Sequence, residues 1–167
     1  MRLYYTISEN AAALKLLDYA LEQEFNIKKR PEILRGEHGK PYFADCDIKF
    51  NYSHCKYGVA CAVSDCEIGV DIQEIRKIKP SVIQRVCCDN ELEIIKNDED
   101  FIRIWTLKEA YSKYTGKGFA ERFKSIDTTK FSPECVFKVG AGVSLPSLYI
   151  ACYATGVTPQ LVQVELP

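Results

Sequence analysis

Apolar positions repeat with two different periods along this chain, and the period separates predicted strands from predicted helices. Alternating or continuous apolar segments are typical of strands, which point successive side chains to opposite faces. In the first half of the sequence such segments cover residues 3–7, 48–53, 57–64 and 67–73. In the last third they cover residues 136–139, 148–153 and 161–166.

Helical spacing of apolar residues predicts two helical regions between these strands. Leucines at this spacing predict a helix over residues 10–25, with Ser8 or Asn10 as its N-cap. A longer helical region covers residues 80–114, with a break at 97–100. This order of strands, helices and strands predicts an α+β fold.

The composition is that of an ordinary globular chain. The 167 residues are 47% hydrophobic and 27% charged, and the formal net charge is -1. This length suits one domain or two small lobes, and the charge balance argues against a general nucleic-acid binder. No apolar run approaches the length that spans a membrane, so we expect neither a nucleic acid nor a membrane as partner.

Eight cysteines raise the choice between disulfides, a zinc site and free thiols. The chain has no C-x-x-C pair and only two histidines, which argues against zinc. Its first residues indicate a strand rather than a signal peptide, which argues against the secreted proteins that carry disulfides. We therefore expect free, mostly buried thiols in a cytoplasmic protein.

The first segment that could carry chemistry is residues 69–73, Gly-Val-Asp-Ile-Gln. On a strand, Val70 and Ile72 would face the core, so Asp71 and Gln73 would share the opposite face. Two adjacent oxygen ligands suit a hard cation such as Mg²⁺, which takes one or two carboxylates together with substrate phosphate. The alternative is an edge strand with polar residues facing water, and the segment alone favours that alternative.

The second segment runs from Trp105 to Lys113 on the predicted long helix. Glu109 and Lys113 lie four residues apart and therefore share a helical face, with Lys108 at its edge. A carboxylate beside two ammonium groups suits a site that binds metal and phosphate together, with the carboxylate as metal ligand or proton acceptor. The alternative is a common ion pair on a solvated helix, and Trp105 alone is more typical of a core.

Two shorter segments contain polar groups that could contact an anion. Ser53 and His54 lie at the end of a predicted strand, where His54 could donate to a phosphate oxygen. A Ser-His hydrolase pair is rejected, because neighbouring residues on a strand point to opposite faces. Lys40 lies in a Gly-Lys-Pro loop that could aim its ammonium at an anion. The alternatives are a structural or exposed histidine and an ordinary turn.

In this order, the four segments resemble the 4'-phosphopantetheinyl transferase superfamily, and they are similar to its Sfp type. The segments are Gly39-Lys40-Pro41, Phe50-Asn51-Tyr52-Ser53-His54, Gly69-Val70-Asp71-Ile72, and Trp105-Thr106-Leu107-Lys108-Glu109-Ala110-Tyr111-Ser112-Lys113 with Gly116 and Gly118. The matching region is roughly half of the chain. The Gly-x-Asp segment follows about one lobe of chain, which favours the Sfp type over the smaller holo-acyl-carrier-protein synthase type.

The resemblance implies a fold of two similar αβ lobes, related by a pseudo-twofold axis, with a cleft between them. We assign the N-terminal lobe to residues 1–75 and the C-terminal lobe to residues 76–167. The resemblance also implies transfer of 4'-phosphopantetheine from coenzyme A to a serine of an apo acyl or peptidyl carrier protein. Mg²⁺ would be the cofactor and 3',5'-ADP the second product. Proteins of this type work as monomers, and we expect the same here.

Carried over residue by residue, the resemblance implies a role for each polar side chain. Asp71 and Glu109 would ligate Mg²⁺, with Gln73 as a further ligand. Glu109 would also deprotonate the carrier serine, directly or through a metal-bound water, and Lys113 would assist near it. The phosphates of coenzyme A would be contacted by Lys40, Ser53, His54 and Lys108. For the 3'-phosphate, Arg35 is our choice among the basic residues Lys28, Lys29, Arg30 and Arg35.

Two departures from the family pattern keep other functions open. Many Sfp-type members have an acidic residue where this chain has Gln73, so we expect weaker Mg²⁺ binding, another coordination shell or compensation by Glu74. Only 38 residues precede Gly39, and the family's contacts to the 3'-phosphate usually lie in that part. The alternatives are a degenerate homologue that binds coenzyme A or a carrier protein without catalysis, and a metal-dependent hydrolase of a diphosphate.

Overall fold

Two β-sheets lie face to face between two helices in this protein. The structure is a computed structural model, and it describes residues 1–9, 11–118, 122–140 and 145–166. Within these residues the strands are β1 (Arg2–Ile7), β2 (Ile33–Arg35), β3 (Pro41–Phe43), β4 (Lys49–Cys55), β5 (Gly58–Ser64), β6 (Gly69–Glu74), β7 (Val136–Val139), β8 (Leu148–Tyr153) and β9 (Gln160–Gln163). The α-helices are α1 (Ala13–Phe25), α2 (Pro80–Val86), α3 (Asp89–Ile94) and α4 (Asp98–Thr115). Short 3₁₀ helices follow α4 at Phe123–Ser125, Thr128–Lys130 and Pro133–Cys135.

The first sheet brings together strands from both ends of the chain, in the order β4-β5-β1-β9. β4 and β5 form an antiparallel hairpin, β1 pairs with β5 in antiparallel fashion, and β9 runs parallel to β1. The second sheet is antiparallel with the order β6-β8-β7. β2 and β3 form a separate hairpin. β4 and β6 are therefore edge strands of the two large sheets.

Alternation along the strands gives each large sheet one face against the other sheet and one face against a helix. The interior between the sheets contains Leu3, Tyr5, Ala60, Ala62, Val70, Ile72, Leu148 and Ile150. α1 covers the outer face of the first sheet through Leu16, Leu17, Ala20 and Leu21. α4 covers the outer face of the second sheet, where Leu107 and Ala110 pack against Ala151. α4 is thus held against β6 and β8 by apolar burial.

α4 begins and ends at residues that suit its two ends. The side-chain oxygen of Asn97 accepts a hydrogen bond from the backbone N–H of Asp100 at 3.0 Å, which caps the first turn. The helix ends at Gly116, whose φ of 70° is a left-handed conformation that favours glycine. The break predicted at residues 97–100 is observed slightly earlier, at 95–97 between α3 and α4, and a second break separates α2 from α3 at residues 87–88.

α1 starts later than predicted. Its N-cap is Ala12, and no side chain caps it, so Ser8 is not the cap. Asn10, the other predicted cap, lies outside the described residues. Burial of its leucines against the first sheet, rather than a cap, accounts for this helix.

The α+β class is confirmed, and the division into two similar lobes stays a prediction. The sheets do not divide at residue 75. β6, on the N-terminal side of that boundary, pairs with β8, and β9, on the C-terminal side, pairs with β1. The two halves of the chain are therefore interleaved through their sheets.

All eight cysteines lie within the described residues and are free thiols, four of them buried: Cys61, Cys87, Cys135 and Cys152. Among the described helices, none combines the length and the apolar character needed to cross a membrane.

Candidate functional site

The edges of the two large sheets meet through side chains of β4. The side-chain oxygen of Asn51 accepts a hydrogen bond from the backbone N–H of Val70 at 2.8 Å. The Ser53 hydroxyl donates to the Asp71 carboxylate at 2.8 Å. Both β4 residues are buried, so these bonds fix Asp71 beside a strand of the other sheet.

Asp71 is a buried carboxylate surrounded by donors from three side chains. Only 2% of the residue is exposed, and its two neighbours in sequence point into the interior between the sheets. One oxygen accepts from the Ser53 hydroxyl and from the Lys113 ammonium, which is 2.7 Å away. The other oxygen accepts from the Gln73 amide at 2.9 Å. The predicted alternation is confirmed, and a water-facing edge strand is excluded for Asp71.

Glu109 and Lys113 reach the same cleft from one face of α4. The Lys113 ammonium lies 2.7 Å from Asp71 and 2.8 Å from the Ser53 hydroxyl oxygen. Glu109 lines the cleft beside them. Burial and the negative charge of Asp71 raise the pKa of Glu109 to about 7, although the Lys113 ammonium acts in the opposite direction. Two carboxylates therefore share one cleft, in which burial favours the protonated form of Glu109.

The cleft has a volume of about 500 Å³. Its wall contains every predicted site residue except Lys108. These residues are Arg35, Lys40, Ser53, His54, Asp71, Gln73, Glu109 and Lys113. The candidates for the contact with the 3'-phosphate are Lys28, Lys29, Arg30 and Arg35, and the structure describes all four. Of these, only Arg35 lies in the cleft wall. The structure thus combines a carboxylate floor with basic side chains around it.

The basic side chains around the floor are held in different ways. Lys40 donates to the Glu67 carboxylate at 2.6 Å and to the backbone carbonyl of Tyr114 at 3.0 Å. Arg35 is exposed and donates to a backbone carbonyl in the β2–β3 turn at 3.0 Å. His54 is exposed as well. An anion entering the cleft would meet Arg35 and His54 directly and would compete with Glu67 for Lys40.

Lys108 lies outside the cleft, which corrects its predicted contact with phosphate. The side chain is fully buried, and its ammonium pairs at 2.7 Å with the equally buried carboxylate of Glu91 on α3. It also donates to the backbone carbonyls of Phe123, at 2.7 Å, and Ile126. These partners use all three N–H bonds of the ammonium. Lys108 therefore holds the segment after α4 in place and has no donor left for a phosphate.

The donor set of the cleft floor fits a hard divalent cation. Asp71 and Glu109 offer carboxylate oxygens, and rotation of the Gln73 amide would present its oxygen on the same face. Burial, and secondly the charge of Asp71, raise the pKa of Glu109, and a bound cation would offset both effects by stabilising the ionised carboxylate. The residues predicted as metal ligands therefore match the chemistry of Mg²⁺.

A second group of possible metal ligands in the described residues consists of Cys88, Glu91 and Asp127. Glu91 already accepts hydrogen bonds from the Lys108 ammonium, from the backbone N–H of Cys88, and from the backbone N–H and hydroxyl of Thr128. Its charge is neutralised and its lone pairs are occupied, so this group is a structural junction between α3, α4 and the following segment.

Comparison with known proteins connects this geometry to a family. Residues 67–138 match the model of the 4'-phosphopantetheinyl transferase superfamily, and this stretch contains Asp71, Glu109 and Lys113. The chain belongs to this superfamily and is Sfp-like. It is 30% identical over 124 residues to the 4'-phosphopantetheinyl transferase Sfp of Bacillus subtilis strain 168, which is 70% of this chain and 53% of that relative.

Two further 4'-phosphopantetheinyl transferases show the same kind of similarity. One is gsp of Aneurinibacillus migulanus, 36% identical over 105 residues, which cover 59% of this chain and 44% of the relative. The other is AcpT of Escherichia coli K12, 37% identical over 112 residues, which cover 61% of this chain and 57% of the relative. The chain spans about half the length of the curated relatives it matches.

Three residues of this superfamily member shape the site although the sequence patterns gave them no role in it. Asn51 ties β4 to β6, and Trp105, half-buried, lines the cleft. Gly69 lets β6 approach α4, because a Cβ there would lie 1.9 Å from the carbonyl oxygen of Ala110. The glycine of the Gly-x-Asp segment was the available signal for this close approach, since glycine is favoured where two backbones touch.

Proposed function

We propose that this chain transfers the 4'-phosphopantetheine group of coenzyme A to a serine of an apo acyl or peptidyl carrier protein. Mg²⁺ would be required, and 3',5'-ADP would be released. The observation that carries this proposal is the meeting of Asp71, Glu109 and Lys113 in one cleft, because Asp71 and Lys113 are 42 residues apart in sequence. The relatives named 4'-phosphopantetheinyl transferase support the same activity.

The proposed metal site consists of Asp71 and Glu109, with the amide oxygen of Gln73 as a weaker ligand. Both carboxylates line the cleft, and a divalent ion would stabilise the ionised form of Glu109, which burial and the charge of Asp71 disfavour. When bound, Mg²⁺ would supply positive charge to the diphosphate oxygens of coenzyme A.

The other side chains of the cleft would bind and orient the substrates. Arg35 would contact the 3'-phosphate, and His54 a diphosphate oxygen, because both are exposed in the cleft wall. Lys40 would contact phosphate once the phosphate replaces Glu67 as its ion-pair partner. Ser53 would keep Asp71 in position and could donate to a phosphate oxygen. Fixed cations and donors of this kind are the main source of catalysis when charge develops on phosphate oxygens.

The transfer itself would proceed by direct attack of the carrier serine. Glu109 would accept the serine proton, directly or through a metal-bound water, because its carboxylate lines the cleft in which the serine would have to lie. The serine oxygen forms a bond to the β-phosphorus of coenzyme A, the bond from that phosphorus to the bridging oxygen breaks, and 3',5'-ADP leaves with that oxygen. Lys113 would stabilise the charge that develops beside the reacting serine.

We also propose that the protein acts as a cytoplasmic monomer. The eight free thiols suit a reducing compartment, and the monomeric state follows from the Sfp-type resemblance. The partner would be the carrier protein, with neither nucleic acid nor membrane involved.

Intact-mass spectrometry of carrier proteins tests the proposed activity. The purified chain is incubated with coenzyme A, Mg²⁺ and a panel of apo acyl and peptidyl carriers. We expect at least one carrier to gain the mass of one phosphopantetheine group. This gain should be absent when the carrier serine is replaced by alanine, and also when Mg²⁺ is chelated. A folded chain that labels no carrier of the panel would contradict the proposal.

Gln73 favours a second candidate, a homologue that binds coenzyme A or a carrier protein without catalysis. The amide contributes no charge, and in the structure it donates to Asp71 rather than offering an oxygen. Titration of coenzyme A with and without Mg²⁺ separates the candidates. Tight binding that is independent of the metal, without turnover, would favour the binding protein.

A further inference from the structure

The ammonium group of Lys113 is paired with the Asp71 carboxylate, the group that would ligate the metal. It lies 2.7 Å from one oxygen of Asp71 and 2.8 Å from the Ser53 hydroxyl oxygen. Asp71 is buried, whereas 29% of the Lys113 side chain is exposed. The lysine therefore borders the open cleft and has room to move away from the carboxylate.

The charges of the cleft floor explain why the lysine would move. With both carboxylates ionised, Asp71 and Glu109 carry two negative charges, and Lys113 contributes one positive charge. A divalent cation would balance both carboxylates by itself, which leaves the charge of Lys113 in excess. Two cations close to the same oxygen repel each other, so each weakens the binding of the other to this carboxylate.

We propose that Lys113 is a resident counter-ion of Asp71 that the divalent metal displaces, so that metal binding frees its ammonium for the phosphate of the substrate. This inference rests on the proposed function, since it takes Asp71 as a metal ligand. Its first consequence is that Lys113 weakens metal binding to the free protein. Its second consequence is that an anionic substrate, which attracts the ammonium away from Asp71, strengthens metal binding, and the coupling is reciprocal.

Binding of Mn²⁺ to the free chain, measured by electron paramagnetic resonance without coenzyme A or carrier, tests this inference. Lys113→Met removes the charge and keeps most of the side-chain length. We expect it to tighten Mn²⁺ binding by about tenfold or more, because a like charge within a few ångströms shifts such an equilibrium by about one pK unit or more. Lys117→Met is the matched control, since Lys117 is exposed and outside the cleft wall. The Lys117→Met variant should bind Mn²⁺ with an affinity within about twofold of that of the unchanged chain, because water and dissolved ions screen an exposed and distant charge.

Asp71→Asn separates failure of this inference from failure of the proposed function. If Asp71→Asn abolishes Mn²⁺ binding but Lys113→Met does not tighten it, the counter-ion role is overturned and the proposed metal site stands. If Asp71→Asn leaves Mn²⁺ binding unchanged, the metal does not use Asp71 and both are overturned.

Chemical labelling of lysines gives a second readout that is independent of affinity. Acetic anhydride modifies free amines, and mass spectrometry reports the extent at each lysine. Mg²⁺ should raise the labelling of Lys113, which loses its ion pair with Asp71, and should leave that of Lys117 unchanged. Labelling of Lys113 that stays constant or falls when Mg²⁺ is added would overturn the inference.

Discussion

The Ser53 hydroxyl donates a hydrogen bond to the Asp71 carboxylate across 2.8 Å, although the two residues belong to edge strands of different sheets. The position of the proposed metal ligand therefore depends on how the sheets pack, and not on β6 alone. α4 brings Glu109 and Lys113 to the same point from the outer face of the second sheet. Changes in packing should consequently affect the site as strongly as changes in charge.

Gln73→Glu should strengthen metal binding. A third carboxylate on this face would add charge to the proposed coordination shell, and we expect Mg²⁺ affinity in the presence of coenzyme A to rise about tenfold. Isothermal titration calorimetry measures this Mg²⁺ affinity. Glu74→Gln is the control, since Glu74 pairs with Arg76 rather than lining the cleft. Loss of affinity in Glu74→Gln, with no gain in Gln73→Glu, would mean that Glu74 is the missing ligand.

Lys108→Met should destabilise the fold instead of weakening contact with phosphate. The change leaves the fully buried Glu91 carboxylate without its cation, and breaking a buried ion pair on one side costs about 3–5 kcal/mol. Urea unfolding measures the loss. The double variant Lys108→Met with Glu91→Leu should recover part of it. A stable Lys108→Met chain with weakened coenzyme A binding would instead support the phosphate contact.

Gly69→Ala should disturb the contact between β6 and α4. The new Cβ would meet the carbonyl oxygen of Ala110 at 1.9 Å and the backbone nitrogen of Tyr114 at 2.3 Å, so the helix would have to shift. We expect a loss of about 3 kcal/mol in the free energy of unfolding, the upper range for overpacking. Gly140→Ala, where nothing lies within 4 Å of the added carbon, should change it by less than about 0.5 kcal/mol. Equal effects of both changes would show that this contact is not tight.

Without a metal, Glu109 should make the fold less stable as the pH rises. Its pKa in the folded chain, about 7, lies above the value of 4.5 that is usual for a glutamate in water, so folding favours the protonated form. The contribution of Glu109 to the free energy of unfolding is complete below a pH of about 4.5 and is lost as the pH rises through about 7.

Melting temperatures measured across this range without divalent ions check that pH dependence. Glu109→Gln removes the titrating group, so its melting temperature should rise relative to that of the unchanged chain as the pH increases. Parallel curves for the two proteins would show that Glu109 titrates normally.

Local periodicity predicted the parts of the site that depend on one element at a time. Alternation placed Asp71 and Gln73 on one face of β6, and the four-residue spacing placed Glu109 and Lys113 on one face of α4. Both arrangements are observed. The burial of Asp71 could not be predicted in this way, because it depends on Ser53 and on the edge of another sheet.

Lys108 shows where reasoning from neighbours in sequence fails. It is adjacent to Glu109, but one step along a helix rotates the side chain by about 100°, and here it points to Glu91 on α3. No local pattern links residues 91 and 108. The pairing of β9 with β1 is equally non-local, and the strands of the β2–β3 hairpin, with three residues each, are too short to show a period.

Anomalous scattering from Mn²⁺ in a crystal of the chain grown with coenzyme A locates the ion and thereby decides whether Asp71 and Glu109 form the metal site. We expect a peak within about 2.0–2.5 Å of a carboxylate oxygen from Asp71 and one from Glu109, next to the diphosphate. A peak at Cys88, Glu91 and Asp127, with the carboxylates of Asp71 and Glu109 free of metal, would contradict it.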